Sequence, residues 1–405
     1  MMQRCLPLLC LPAIAAARGA WTHDWATAAS AQFADFGYQA LTPAQAAFAA
    51  ASYSIVSLEK CTGPGPTEAN IYATAARIKA ASAATKVLFY WATDQQGLWC
   101  YESAAAVLAN PDWWLRDDAG HVINVTQGAS SVPRIDYTVA AARDWWASVP
   151  LARAGAASLI DGVLADGTGS RCPAPGISPA RCAALVAGKS AMVRQLQAAL
   201  DAANGGSVLG NGLDLYDGGP ADHNLYTLAD MDGIMGEHYA VFESVRANGT
   251  IDVDRVALFI SLVGEAAARK KLVVAATWPG LYVTPFAADG WPSWPNATQP
   301  TTTAGWQAAL LAKHAFALAA YLTVAEETVF MQYEGWYSST QGAIACPEAP
   351  QSCASPPGWY PDLQRPLGAP AGPAVRAGNT WTRRFAHATS TLNLDEPGAS
   401  GVAFD

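Results

Sequence analysis

The chain has 405 residues, of which 51% are hydrophobic and 14% charged, and its formal net charge is −9. That apolar content excludes intrinsic disorder, and its Pro and Gly follow no period, which excludes collagen and low-complexity architectures. No long basic run offsets the acidity, so a nucleic-acid partner is excluded as well.

In chain order, residues 1–20 read as a secretory signal peptide. Arg4 opens it, Cys5 to Ile14 is an apolar run, and Ala15-Ala16-Ala17 fits a small-residue cleavage site. The run is too short to span a membrane. Later, Ala308 to Ala325 is the one apolar stretch of comparable length, but Lys313 and His314 interrupt it, so it reads as a buried helix. The expectation is a secreted protein, or one in a vesicular or lysosome-like lumen, with no membrane insertion after cleavage. Apart from Cys5 and Cys10 in the signal, the cysteines are Cys61, Cys100, Cys172, Cys182, Cys346 and Cys353. An oxidising compartment makes disulfides the default. Short loops favour Cys172–Cys182 and Cys346–Cys353, which leaves Cys61–Cys100, with Cα atoms expected within about 7 Å. No C-x-x-C pair exists and the His are scattered, so no metal site is expected. Asn124-Val-Thr, Asn248-Gly-Thr and Asn296-Ala-Thr are glycosylation sequons compatible with secretion.

From residue 50 onward, short β-rich runs alternate with alanine-rich helical stretches. The runs are Tyr53–Leu58, Lys86–Trp91, Val132–Asp136, Gly162–Asp166, Ser207–Asn211, Gly233–Glu237, Lys271–Thr277 and Thr328–Tyr333. Helix starts are marked by Thr67 with Glu68, and by Ser178-Pro179 ahead of a run to Ala203. Alternation of this kind builds a parallel sheet. Eight units over roughly 290 residues predict an α/β fold of the (β/α)8 TIM-barrel type over residues 21–345. An open doubly wound sheet is the alternative, but the Gly63-Pro-Gly65 segment lacks a third glycine and does not form a dinucleotide fingerprint. Residues 346–405 begin Pro/Gly-rich and continue into a small β element over Thr380–Leu394, expected to pack on the barrel.

In a barrel, working residues stand at the C-terminal ends of strands. The ends here are Glu59; Tyr90-Trp91 with Asp94; Arg134 and Asp136-Tyr137; Asp166; Asn211 and Asp214; Glu237-His238; Thr277-Trp278; and Tyr333-Glu334. Carboxylates and aromatics dominate. Two carboxylates flanking a glycosidic bond suffice to hydrolyse it, and aromatic faces stack on sugar rings, so a carbohydrate substrate is expected. No serine elbow, H-E-x-x-H or P-loop competes, and no cofactor is implied.

The segment Ile135 to Trp146, with Asp136-Tyr137-Thr138 leading into Arg143-Asp144-Trp145-Trp146, precedes Ile160-Asp-Gly-Val-Leu-Ala-Asp166. Together they resemble a pattern of barrel glycoside hydrolases, among them family-31-type alpha-glucosidases and clan D alpha-galactosidase-like enzymes. Asp232-Gly-Ile-Met-Gly-Glu237-His-Tyr, Pro366-Leu-Gly and Trp381-Thr-Arg-Arg-Phe385 are more similar to the uncharacterised "hypothetical glycosyl hydrolase" barrel families. The resemblance implies that Asp166 is the nucleophile and Glu237 the general acid/base. Gly167-Thr168-Gly169 replaces the M-N-E that follows the nucleophile in family 31, so alpha-glucosidase specificity does not carry over.

Taken alone, the residues do not rank Asp166 and Glu237 above Asp136 or Glu334. Strand-end Asp residues often cap helices, and Asp161, opening the Asp166 run, reads as a turn residue. Trp91, Asp94, Asp136, Asn211, His238, Trp278, Tyr333 and Glu334 are the candidate substrate contacts, whereas Trp113-Trp114 and Trp145-Trp146 read as core. The expected activity is hydrolysis of O-glycosidic bonds in an oligo- or polysaccharide, and the alternative is a non-catalytic carbohydrate-binding barrel. The fourth and sixth strands lie roughly 9–10 Å apart, and inward-leaning side chains can close much of that gap. Asp166 and Glu237 are therefore expected to face each other, with retention of anomeric configuration.

Overall fold

The computed structural model describes residues 21–37, 40–63, 67–95, 97–127, 130–169, 172, 175–212, 231–237, 239, 251–277, 303–333 and 360–405. Its strands are β1 (Phe33–Phe36), β2 (Ile55–Leu58), β3 (Lys86–Tyr90), β4 (Asn124–Gln127), β5 (Ser130–Pro133), β6 (Gly162–Ala165), β7 (Ser207–Asn211), β8 (Gly233–Gly236), β9 (Leu272–Thr277), β10 (Val329–Tyr333), β11 (Val375–Ala377), β12 (Thr380–Arg384), β13 (Ala388–Asn393) and β14 (Gly401–Phe404). Its helices are α1 (Pro43–Ser52), α2 (Thr67–Ala81), α3 (Ala104–Ala109), α4 (Ala140–Ser148), α5 (Ala156–Leu159), α6 (Pro179–Ala203), α7 (Val253–Ala268) and α8 (Thr303–Val324).

Eight parallel strands run in the order β1-β2-β3-β6-β7-β8-β9-β10. A parallel bridge between Gln32 and Met331 joins the first to the last and closes the ring. The fold is a (β/α)8 barrel, as expected. Its strands are short, β-branched or apolar, and almost wholly buried, because a parallel barrel is covered on both faces. Register fixes which residues fill the interior. Asp35 pairs with Ser57, Ser57 with Leu88, Leu88 with Gly162, and Gly162 with Ser207. Paired residues face the same side, so Ser57, Leu88 and Leu164 point inward while Phe89, packed on Tyr72 of α2, points out.

Two expectations are corrected. The run Val132–Asp136 is not a barrel strand: Ser130–Pro133 pairs antiparallel with Asn124–Gln127 as a hairpin outside the barrel. The true first strand is Phe33–Phe36, ahead of every expected run. The errors offset each other, so Gly162–Ala165 remains the fourth barrel strand and Gly233–Gly236 the sixth.

Helix starts follow local chemistry. Thr42 and Gln45 form a capping box at α1, with Pro43 in its first turn. The helix expected after Ser178-Pro179 runs to Ala203. The Ser178 hydroxyl does not cap it; the Ser178 N–H is instead held by Asp118 Oδ2 at 2.8 Å. No helix among the described residues is long and apolar enough to cross a membrane.

Strands β11 to β14 form a four-stranded antiparallel sheet. It is fastened to the barrel by Arg383, whose side chain is 2% exposed. The guanidinium donates to the Leu322 carbonyl at 3.4 Å, to the Ala325 carbonyl, to the Gly372 carbonyl at 3.1 Å and to Glu326 Oε1 at 2.8 Å. It thereby satisfies carbonyls left over at the C-terminal end of α8.

Cys61 and Cys100 form a disulfide with Cα atoms 5.1 Å apart, bridging the loops after β2 and β3. The bridge spans 39 residues, and chain entropy assigns a loop of that size about 4 kcal/mol. Cys61→Ser/Cys100→Ser should therefore lower unfolding stability by about 2–4 kcal/mol in urea titration. Cys172 and Cys182, expected as a bridge, are free thiols. They meet as hydrogen-bond partners, and burial together with the neighbouring thiol raises the Cys182 pKa. Cys346 and Cys353, expected as a bridge, lie outside the described residues, as does the expected signal segment over residues 1–20.

Candidate active site

The fourth, fifth and sixth barrel strands deliver three polar side chains to one point. Leu164 pairs with Tyr90, and both point inward. Asp166, two residues beyond Leu164, does the same just past the strand end. Asn211 closes β7 and Glu237 follows β8. Asn211 Nδ2 donates to Asp166 Oδ1 at 2.9 Å and to Glu237 Oε2 at 2.7 Å. Those two carboxylate oxygens are therefore no further apart than the two bond lengths laid end to end.

Asp166 is held by further donors. The Gly167 N–H reaches Oδ1 at 2.8 Å, and the Tyr90 hydroxyl donates to Oδ2. Gly167 has φ +69°, a left-handed conformation that glycine adopts without cost. The backbone that follows is anchored from both sides. Thr93 Oγ1 donates to the Asp166 and Gly167 carbonyls at 2.9 and 2.7 Å. The buried Lys189 of α6 donates to the carbonyls of Gly167 and Gly169 at 3.0 and 2.8 Å.

Electrostatics couple the two acids. Burial, and next the charge of Glu237, push the Asp166 carboxyl up to about 7, against the pull of Lys60 and the Tyr90 hydroxyl. Two carboxylates this close cannot both ionise freely, so the pair retains one proton up to near neutrality. Burial and the Asp166 charge raise the Tyr90 pKa, which keeps its hydroxyl a donor.

Beside them stands Glu59, at the end of the second strand and 3% exposed. Lys60 Nζ lies 3.0 and 2.9 Å from its oxygens and 3.3 Å from the Tyr90 hydroxyl. Glu59 and Tyr90 were expected only as strand ends, without a role at the site, and Lys60 was not expected at all.

The other expected contacts separate. Asp94 stands at the rim, partly exposed, 3.9 Å from Arg134 and against Gly167. Trp91 is corrected: it is 2% exposed on the outer face, stacked on Trp146 and edge-on to Tyr101 and Trp145, its indole N–H bonded to the Trp146 carbonyl at 2.9 Å. It cannot reach a sugar at the mouth, and its strand neighbour Tyr90 takes the inward position. Trp91→Ala should cost about 3–5 kcal/mol of stability in denaturant unfolding, as a core aromatic does. Asp136 is also corrected: it follows the hairpin, caps the Thr138 N–H and hydroxyl at 2.9 and 2.6 Å, and reaches Arg181 at 3.4 Å. Tyr333 ends the eighth strand but faces α8, packed on His314 and Tyr360, so it lies outside the barrel interior. His238, Trp278 and Glu334 lie outside the described residues. Asp161, at the opposite end of β6, binds the Val87 N–H at 2.8 Å and Lys79 at 2.5 Å, a bracing role at the barrel bottom. Among the described residues no group of three or more His, Cys, Asp or Glu side chains is placed to hold a metal ion.

A model of the family described as "Hypothetical glycosyl hydrolase family 15" matches residues 79–389. No curated protein matches the chain. Among solved structures, an alpha-amylase from Lactobacillus plantarum is 12% identical, with 89% of this chain and 87% of that one covered and a TM-score of 0.47. A ligand-free cyclic alpha-maltosyl-(1→6)-maltose hydrolase from Arthrobacter globiformis is 14% identical, with 91% of each chain covered and a TM-score of 0.43.

Proposed function

Since the chain belongs to the hypothetical glycosyl hydrolase family 15 and is therefore a glycosidase, we propose that it is a secreted, retaining enzyme in which Asp166 is the nucleophile and Glu237 the general acid/base. The observation that carries this reading is the single Asn211 amide bound by both carboxylates. Its bond lengths fit the separation of about 5–5.5 Å that lets a carboxylate reach the anomeric carbon directly, rather than the wider gap that admits a water.

The chemistry follows from the donors. In the reactive form the proton of the pair is on Glu237 and Asp166 is ionised, its oxygens aimed by Tyr90, Gly167 and Asn211. Asp166 attacks the anomeric carbon as Glu237 protonates the departing glycosidic oxygen. Glu237, now ionised, takes a proton from an incoming water, whose oxygen displaces Asp166. Two inversions leave the configuration unchanged. A neutral oligo- or polysaccharide substrate is favoured over an acidic one, because Glu59, Asp166 and Glu237 converge here while the cations Lys60, Arg134 and Lys189 are taken up by Glu59, Asp94 and the Gly167 and Gly169 carbonyls.

Secretion is supported by the signal-like segment and by a disulfide that requires an oxidising compartment to persist. Asn124, the sequon residue of the hairpin, is exposed and open to glycosylation. The test of the mechanism is proton NMR of the first product formed from a panel of oligo- and polysaccharides. The substrate's own anomer should appear first and mutarotate afterwards. The opposite anomer appearing first would end the retaining assignment.

A further inference from the structure

The ammonium of Lys60 is fixed in place from several directions. Glu59 takes it with both oxygens, the Tyr90 hydroxyl lies 3.3 Å away, and the Tyr90 ring lies beneath it at 4.4 Å. Gly97 closes over its stem: a Cβ there would come within 2.5 Å of Lys60 Cδ, and its φ of +76° favours glycine as well. The next residue, Cys61, is bridged to Cys100, three residues beyond Gly97. The loops after β2 and β3 are thus stapled so that a partly buried positive charge sits on Tyr90, and Tyr90 donates to Asp166 Oδ2.

Resting on the assignment of Asp166 as nucleophile, we infer that Lys60 is a positioning residue that favours the ionised form of Asp166 against the burial and negative charge that oppose it, acting through Tyr90 and held in place by Glu59. The need for it follows from the charges facing this point. Glu59 comes from the end of β2, Asp166 from beyond β6, and Glu237 from beyond β8. Asp94 adds a further negative charge to Asp166 from the rim, and Lys189 of α6 a positive one from behind the loop. Glu59 and Glu237 also repel each other. Without Lys60, Asp166 holds its proton to higher pH, and the protonated carboxyl cannot attack. Glu59 has the opposite effect: it binds the ammonium and limits how much of its charge reaches Asp166.

The test needs no substrate. Carboxyl 13C NMR on protein labelled at aspartate, with the Asp166 signal assigned by its loss in Asp166→Asn, gives the titration midpoint of Asp166. In Lys60→Met the midpoint should rise by about one pH unit or more. In Lys60→Arg, which keeps the charge, it should stay near the wild-type value. In Glu59→Gln it should fall. A merely structural Lys60 would move all three in the same direction or none. A folded Lys60→Met protein with the wild-type midpoint overturns the inference, as does a Lys60→Arg midpoint displaced as far as that of Lys60→Met. If Lys60→Met does not fold, the fall expected in Glu59→Gln decides, and its absence overturns the inference. Loss of turnover in Asp166→Asn is read separately, so failure of the relay is distinguishable from failure of the nucleophile assignment.

Discussion

Asp166→Asn should lower kcat by at least about 10⁴-fold on the substrate that the wild-type enzyme hydrolyses, and it should make the protein more stable at neutral pH. The second effect follows from linkage. The folded-state pKa of Asp166 lies near 7, raised by burial and by Glu237. Between about pH 4 and 7 the native protein therefore binds a proton that the unfolded chain has released. Stability contributed by this group falls as pH rises through that window. The amide removes the cost of ionising it, and the Tyr90 hydroxyl can turn to accept from the new NH₂ group. Asp166→Asn should gain about 2–4 kcal/mol over wild type at pH 7–8 and nothing near pH 4. Urea unfolding at the two pH values checks the sign. A variant less stable than wild type at pH 8 would show that Asp166 serves the fold rather than straining it. Asp161→Asn at the other end of the same strand should do the reverse at neutral pH, because that carboxylate holds Lys79 and the Val87 N–H.

Arg383→Met should cost about 3–5 kcal/mol, the range for removing one member of a buried, hydrogen-bonded charge arrangement. The Leu322, Ala325 and Gly372 carbonyls lose this donor in the junction, and the half-exposed Glu326 loses its counter-ion. The loss should appear first where the four-stranded sheet meets α8. Hydrogen exchange should rise in β12 and β13 and at the end of α8, before the barrel strands are affected. Arg383→Lys should recover little, because one ammonium cannot reach acceptors spread around the edges of a planar fork. A variant with wild-type exchange in β12 would remove Arg383 as the fastening.

Much of this molecule was legible without its coordinates. Apolar runs spaced by capped helices determine a parallel barrel, since runs such as Leu272–Thr277 are too apolar to leave either face in water. Asp166 and Glu237 were legible as charges at strand ends, and the family resemblance, not the residues alone, ranked them above Asp136 and Glu334. What the sequence could not decide was the pairing of strands and the direction of single side chains. Phe33–Phe36 was missed because it is four residues long and carries Asp35 into the barrel interior, which breaks the apolar run expected of a buried strand. Val132 and Ile135 suggested a barrel strand, yet Ser130–Pro133 pairs with Asn124–Gln127 next to it in the chain, and Pro133 itself suits an edge rather than a central strand. Trp91 and Tyr90 differ by one position, and in a strand one position reverses the face. The grouping of Glu59, Lys60, Tyr90, Asp166, Asn211 and Glu237 joins residues 178 positions apart in the chain. It exists only because closing the barrel brings the ends of five strands to one mouth, where desolvation and mutual repulsion give these carboxylates properties that none has alone.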